Sequence, residues 1–225
     1  MKTRISLMFS FIFGFNFVSQ GQQIDSLKRP DIYKAQVSLH HFFKKSNKDV
    51  VFLGNSITFW AEWTELIAEQ KYLKNRGIPG DNSFGVLERL DDILNGKPKM
   101  LFLMIGINDL AQGIPTEILL RNVNRICRRT KQISPKTTLI IQSILPTNEN
   151  FNKLNEHYKA QDKLPLINSQ LEILAEKQQV KYLDLYTHFI DSQGLLKDEF
   201  SWDGVHLTLA GYQQWVKIIK EEGYL

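Results

Sequence analysis

From Asp49 onward the chain alternates short apolar runs with longer stretches in which apolar residues recur every three or four positions. The runs are Val50 to Leu53, Tyr72 to Arg76, Lys99 to Ile105, Thr137 to Ser143 and Val180 to Leu183. Four of them are large or β-branched with little polar alternation, the pattern of strands covered on both faces; Tyr72 to Arg76 is the weak one. Between the runs the period is helical. Pro115 to Ile133 predicts a helix with Leu119, Val123, Ile126, Cys127 and Thr130 inward and Arg121, Arg125, Arg128 and Arg129 outward. Thr208 to Glu222 predicts a last helix with Leu209, Tyr212, Trp215 and Ile219 inward. Strands alternating with helices predict a doubly wound parallel sheet of about five strands. In such sheets ligands bind beyond the carboxyl ends of the strands, so chemistry belongs in the loops that leave them.

Ahead of this pattern, Pro30 to Lys45 predicts an amphipathic helix with Tyr33, Val37, His40 and Lys44 at helical spacing, and His40 and His41 as packed or half-exposed helix residues. The first residues follow a different rule. Lys2 and Arg4 precede an uncharged apolar stretch from Ile5 to Val18, and Ser19, Gln20 and Gly21 follow, the pattern of an export signal. The apolar run falls short of the roughly 20 residues a membrane-spanning helix needs, and no second candidate follows. The expected organisation is therefore a signal peptide over residues 1–21, a helical extension over 22–48 and one α/β domain over 49–225, secreted or periplasmic, with no stable membrane span after cleavage.

Composition changes this picture in two places. Cleavage after residue 21 would remove two of the 28 basic residues and none of the 24 acids, leaving a net charge of +2, too small to imply a nucleic-acid partner. The single cysteine, Cys127, lies on an apolar stripe and reads as a small core residue. With 43% hydrophobic residues in 225, the chain can bury roughly 70% of its unfolded surface and rest on its core alone.

The chemistry is concentrated in four loops. "GNSIT" leaves the first strand with Asn55, Ser56 and Thr58; "NRGIPGDNS" leaves the second with Gly80 and Asp81; "GIND" leaves the third with Asn108; "SWDGVHLT" precedes the last helix with Trp202, Asp203 and His206. A serine hydroxyl becomes a useful nucleophile once a base takes its proton, and an imidazole does so near neutral pH if an acid fixes its tautomer. His206 and Asp203 supply that pair three residues apart. Charge developing on a carbonyl oxygen needs donors already in place, and the Ser56 and Gly80 amides and the Asn108 side chain are candidates. Asn55, Asp81 and Trp202 are candidate substrate contacts.

These four blocks, in this order, resemble the SGNH or GDSL hydrolases, and the resemblance covers nearly the whole chain after the signal. Singly each motif is weak; together and after the expected strands they are specific. The resemblance implies a three-layer flavodoxin-like fold with strand order 2-1-3-4-5 and no metal or other cofactor. It also implies Ser56 as nucleophile, His206 as base, Asp203 as its acid, and Ser56, Gly80 and Asn108 as oxyanion donors. One departure stands out: Asn55 occupies a place where the family usually has aspartate, keeping the acceptor oxygen and losing the charge.

"NRGIPGDNSFGVLERL" and "IQSILPTN" are similar to the branch that holds sugar O-acetylesterases and the platelet-activating-factor acetylhydrolase type, which points to a short, acetyl-type ester on a carbohydrate. A lysophospholipase, a thioesterase or an acyltransferase would use the same residues. A flavin or phosphate site of the flavodoxin kind would leave "DGVH" unexplained, and a silent carbohydrate-binding protein would not need an intact nucleophile, base and acid. Of the other histidines, His188 lies on the catalytic rim and could serve as a base, but reads better as part of a short structural turn between Tyr186 and Phe189. His157, in the long loop "PTNENFNKLNEHYKAQDKLP", is a candidate for binding because loops of that length often line sites, with a solvated loop residue the favoured reading.

Overall fold

A computed structural model describes residues 28–225. The proposed signal over residues 1–21 lies outside them. Five parallel strands, β1 (Val50–Gly54), β2 (Leu73–Gly77), β3 (Met100–Met104), β4 (Thr138–Gln142) and β5 (Lys181–Leu183), form one sheet in the order β2-β1-β3-β4-β5. Every apolar run thus became a strand, with its ends moved by no more than one residue: the first two runs extend to Gly54 and Gly77, and the other three are trimmed. Helices α1 (Tyr33–Phe42), α2 (Ser56–Phe59), α3 (Trp63–Leu66), α4 (Ser83–Leu94), α5 (Ile107–Ala111), α6 (Thr116–Ile133), α7 (Asn155–Tyr158), α8 (Leu164–Lys177), α9 (Tyr186–Phe189) and α10 (Leu209–Glu221) complete the described chain. Helices α4, α6 and α8 pack side by side on one face of the sheet, and α3 meets α10 on the other.

The central strands are apolar on both sides because both sides are covered. Phe52 of β1 stacks on its register partner Phe102 of β3 at 4.9 Å and on Trp63 of α3 at 3.6 Å, and Trp215 of α10 meets Trp63 edge-on at 4.9 Å. Burying rings of this size contributes about 2–3 kcal/mol each. The stripe read on α6 is buried at all five positions, and Arg129 on its outer side pairs with Asp91.

Strand β2 was the weak run because it is an edge strand with polar work. Asn75 donates its amide hydrogens to the carbonyls of Thr58, Phe59 and Ala61, so a polar residue inside a strand holds the segment that follows the first loop. Two helix readings need correction. Helix α1 ends at Phe42 where Phe43 turns extended, which leaves Lys44 outside it and exposed and Val37 only half-buried. Leu209 is 65% exposed, because it opens the first turn of α10 while the Thr208 hydroxyl caps that turn by accepting from the Gly211 amide.

Gly54 is where the loop chemistry begins. A Cβ there would lie 2.4 Å from the Met104 carbonyl oxygen, so only glycine lets β1 run beside the end of β3 and turn into α2.

Candidate active site

Ser56 stands at the first position of α2. Asn55 precedes it as the cap, its Oδ1 accepting from the Ile57 amide at 3.0 Å, and the Tyr212 hydroxyl of α10 donates to the Ile57 carbonyl at 2.8 Å. The turn is thus pinned from the sequence-local side and from the opposite end of the chain. Ser56 itself is only 9% exposed, with its Oγ 2.8 Å from His206 Nε2.

The histidine is held with equal economy. His206 Nδ1 lies 2.6 Å from Asp203 Oδ2, and Asp203 Oδ1 accepts from the backbone amides of Val205 and His206 at 2.9 and 2.7 Å. One carboxylate therefore closes its own turn and orients the ring, which explains how acid and base can sit three residues apart. Ser201 Oγ closes the same turn by donating to the His206 carbonyl and accepting from the Gly204 amide. Trp202 stacks on the His206 ring at 5.3 Å while remaining 52% exposed. An imidazole with a carboxylate on Nδ1 and a hydroxyl on Nε2 can withdraw the hydroxyl proton and stabilise the charge that results.

The candidate donors are the Ser56 and Gly80 amides and the Asn108 side chain. Gly80 adopts a positive φ of 76°, open to glycine without strain, and Pro30 of the N-terminal segment lies against it: a Cβ at Gly80 would sit 3.1 Å from Pro30 Cβ. Neither the Ser56 nor the Gly80 amide has an acceptor among the described residues. Asn108, on α5, spends one hydrogen of Nδ2 on the Asp81 carbonyl at 2.8 Å and keeps the other. Its neighbour Asp109 is fully buried, accepts from the Ser83 amide and hydroxyl, and is pushed up to about 7 by burial.

Two candidate substrate contacts are corrected by burial. Asn55 is 1% exposed and Asp81 is 0% exposed, so neither can meet a substrate. Asn55 works as the helix cap. Asp81 pairs with Arg89 of α4, whose guanidinium donates to Asp81 Oδ2 at 2.8 and 3.0 Å and also to the Arg76 carbonyl at 2.8 Å and the Gly54 carbonyl at 3.0 Å. A single buried cation thereby ties the ends of β1 and β2 to the Gly80 turn. Asp81→Ala would leave that cation buried without its partner and is expected to cost about 3–5 kcal/mol, read from chemical denaturation. A loss below about 1 kcal/mol would show that Arg89 finds water instead.

The sequence reading favoured a solvated His157 and passed over Tyr158. Far from being a solvated loop residue, His157 is half-buried on α7 with Nε2 3.0 Å from Asn108 Oδ1. Tyr158 is buried and donates its hydroxyl to the Asp203 carbonyl at 2.6 Å. The available signal was the length of the loop. His188, by contrast, is exposed on α9, and its ring meets no hydrogen-bond partner among the described residues.

Residues 52–214 match the model of the GDSL-like Lipase/Acylhydrolase family. The chain belongs to that family. As a member it is a hydrolase acting on esters. It is 30% identical over 192 residues to platelet-activating factor acetylhydrolase IB subunit alpha2 of Rattus norvegicus, covering 79% of this chain and 77% of that protein. Among solved structures, a GDSL-like lipase from Bacteroides thetaiotaomicron is 26% identical, with a TM-score of 0.74 over 86% of this chain and 98% of that one. Axe2, an acetylxylan esterase from Geobacillus stearothermophilus, shares the fold at 19% identity, with a TM-score of 0.63 over 80% and 96% of the two chains.

Proposed function

We propose that this family member is an exported serine esterase that removes a short acyl group, acetyl in the first instance, from a carbohydrate. The observation that carries the mechanism is the unbroken relay from Ser56 Oγ to His206 to Asp203, at 2.8 and 2.6 Å. Ser56 Oγ attacks the ester carbonyl as His206 Nε2 takes its proton, with Asp203 holding the ring. The oxygen that gains charge is met by the Ser56 and Gly80 amides and by the free hydrogen of Asn108 Nδ2. Collapse expels the sugar oxygen, which takes the proton from His206, and water then repeats the sequence on acyl-Ser56.

Three features support the substrate class. Trp202 is 52% exposed beside the base, its ring stacked on His206 with Lys153 Nζ 5.9 Å from the ring centroid, an aromatic and cationic surface suited to a hydroxylated ring. The loop across from it is polar, with Asn150, Asn152, Lys153, Asn155 and Glu156 exposed or nearly so, an unsuitable lining for a long acyl chain. The names of both the rat relative and the Geobacillus structure specify an acetyl group as the one removed or carried. Export rests on Lys2, Arg4 and the apolar stretch Ile5 to Val18.

The test is one activity screen on protein recovered from the extracytoplasmic fraction of the producing cell, using p-nitrophenyl esters of increasing chain length and a panel of acetylated sugars. Acetyl esters are expected to turn over fastest, with the activity in that fraction. A preference for long acyl chains would overturn the substrate class, and activity confined to the cytoplasm would overturn export.

A further inference from the structure

The oxyanion amide has a partner that the family motifs do not contain. Asn108 is joined to two different loops: its Nδ2 donates to the Asp81 carbonyl at 2.8 Å, and its Oδ1 faces His157 Nε2 at 3.0 Å. An amide oxygen only accepts, so the ring nitrogen that faces it must carry a hydrogen, and His157 is held as the Nε2–H species. With Oδ1 on that donor and one Nδ2 hydrogen on Asp81, a single hydrogen of the side chain remains unspent.

We infer that His157 is a positioning residue of the oxyanion hole, which locks the Asn108 amide so that its remaining Nδ2 hydrogen points at the developing oxyanion. This rests on the acyl-serine reading proposed above. The Asp81 carbonyl fixes which way the amide lies, because turning it over would set Oδ1 against that carbonyl, acceptor on acceptor; with the amide so placed, Oδ1 is what His157 Nε2 meets. A donor on Oδ1 also draws charge through the amide and strengthens Nδ2 as a donor.

The position of His157 in the chain makes the lock rigid. It stands on α7, whose next residue, Tyr158, donates to the Asp203 carbonyl at 2.6 Å and accepts from the amides of Lys153 and Leu154 at 3.2 and 3.0 Å. Adjacent residues of one short helix thus hold the acid's turn and the oxyanion amide. Burial, and after it the nearby His206 imidazole, keep His157 below the ordinary histidine range, with Asp203 and Glu156 pulling the other way. A neutral His157 spares the site a second cation when His206 takes the Ser56 proton.

The experiment compares His157→Leu, which removes the donor, with His157→Gln, whose amide can restore it, on p-nitrophenyl acetate. His157→Leu is expected to lower kcat about ten- to a hundredfold with KM little changed, through a misplaced donor, and His157→Gln to recover most of that loss. Asn108→Ala is expected to cost about a hundred- to a thousandfold by itself. In the Asn108→Ala background, His157→Leu is then expected to cost nothing further, since its effect runs through the amide. Should the leucine variant not reach the native near-ultraviolet dichroism spectrum, His157→Asn replaces it, because its amide falls short of Oδ1. Equal losses in both backgrounds, a glutamine variant as impaired as the leucine one, or an unchanged kcat would each overturn the assignment. Turnover that survives Ser56→Ala would overturn the acyl-serine reading itself, whereas an unchanged kcat in the His157 variants, with turnover lost in a separate Ser56→Ala protein, overturns only the positioning role.

Discussion

Replacing Ser56 with alanine is expected to lower kcat by on the order of 10⁶ and to abolish the acetyl-enzyme that rapid quenching and intact-mass measurement would otherwise detect. The fold is expected to survive. Among the described residues the side-chain oxygen of Ser56 has one partner, His206, while α2 is held by the Asn55 cap and by the Tyr212 hydroxyl on the Ile57 carbonyl, neither of which uses Oγ. Alanine also suits a helical position at least as well as serine. The unfolding midpoint should therefore stay close to that of the parent protein. Turnover within tenfold of the parent would remove Ser56 from the mechanism, and a lost fold would assign its hydroxyl a structural role the contacts do not suggest.

Asp203→Asn is the more instructive change, because it alters almost nothing but a tautomer. Asp203 Oδ1 accepts from two backbone amides, so the asparagine oxygen is expected to stay there and its nitrogen to replace Oδ2. That nitrogen donates, and His206 Nδ1 must then become the acceptor, 2.6 Å away. The ring hydrogen moves to Nε2, facing Ser56 Oγ, where it blocks the proton transfer. A fall in kcat of about 10⁴ is expected. Nitrogen-15 shifts of His206 would report the exchanged tautomer directly. An Asp203→Asn enzyme within tenfold of the parent, or one whose ring keeps its hydrogen on Nδ1, would show that the acid does not set the tautomer.

The sheet was readable because burial on both faces leaves a local mark. Val50 to Leu53 and Met100 to Ile105 are apolar without a break, and no partner needs to be known to recognise them. Ser56, Asp203 and His206 were readable for a different reason: each follows a strand or precedes a helix at a place where the fold delivers side chains to one rim. What remained hidden depends on distance along the chain. His157 and Asn108 are 49 residues apart, and α7 is one turn long with no apolar period to announce it.

Arg89 carries no mark in the sequence, because an arginine on a helix ordinarily faces solvent. It lies eight residues beyond Asp81, about two helical turns, and the pair turned an expected substrate contact into a fastening. Asn55 shows the limit from the other side. Its cap was foreseeable from the acceptor oxygen it shares with aspartate, but its Nδ2 is buried without a partner among the described residues, and nothing in the structure explains that choice.

The Arg89 fastening also sets how the rim responds to ionic strength. Counter-ions screen charges that water reaches, with a Debye length of about 8 Å in physiological saline, and the exposed Arg129 and Asp91 pair will weaken as salt is added. Arg89 and Asp81 are sealed from the same ions. The geometry that joins the nucleophile's strand to the Gly80 turn is therefore indifferent to salinity, while the outer helices loosen or tighten their surface pairs around it.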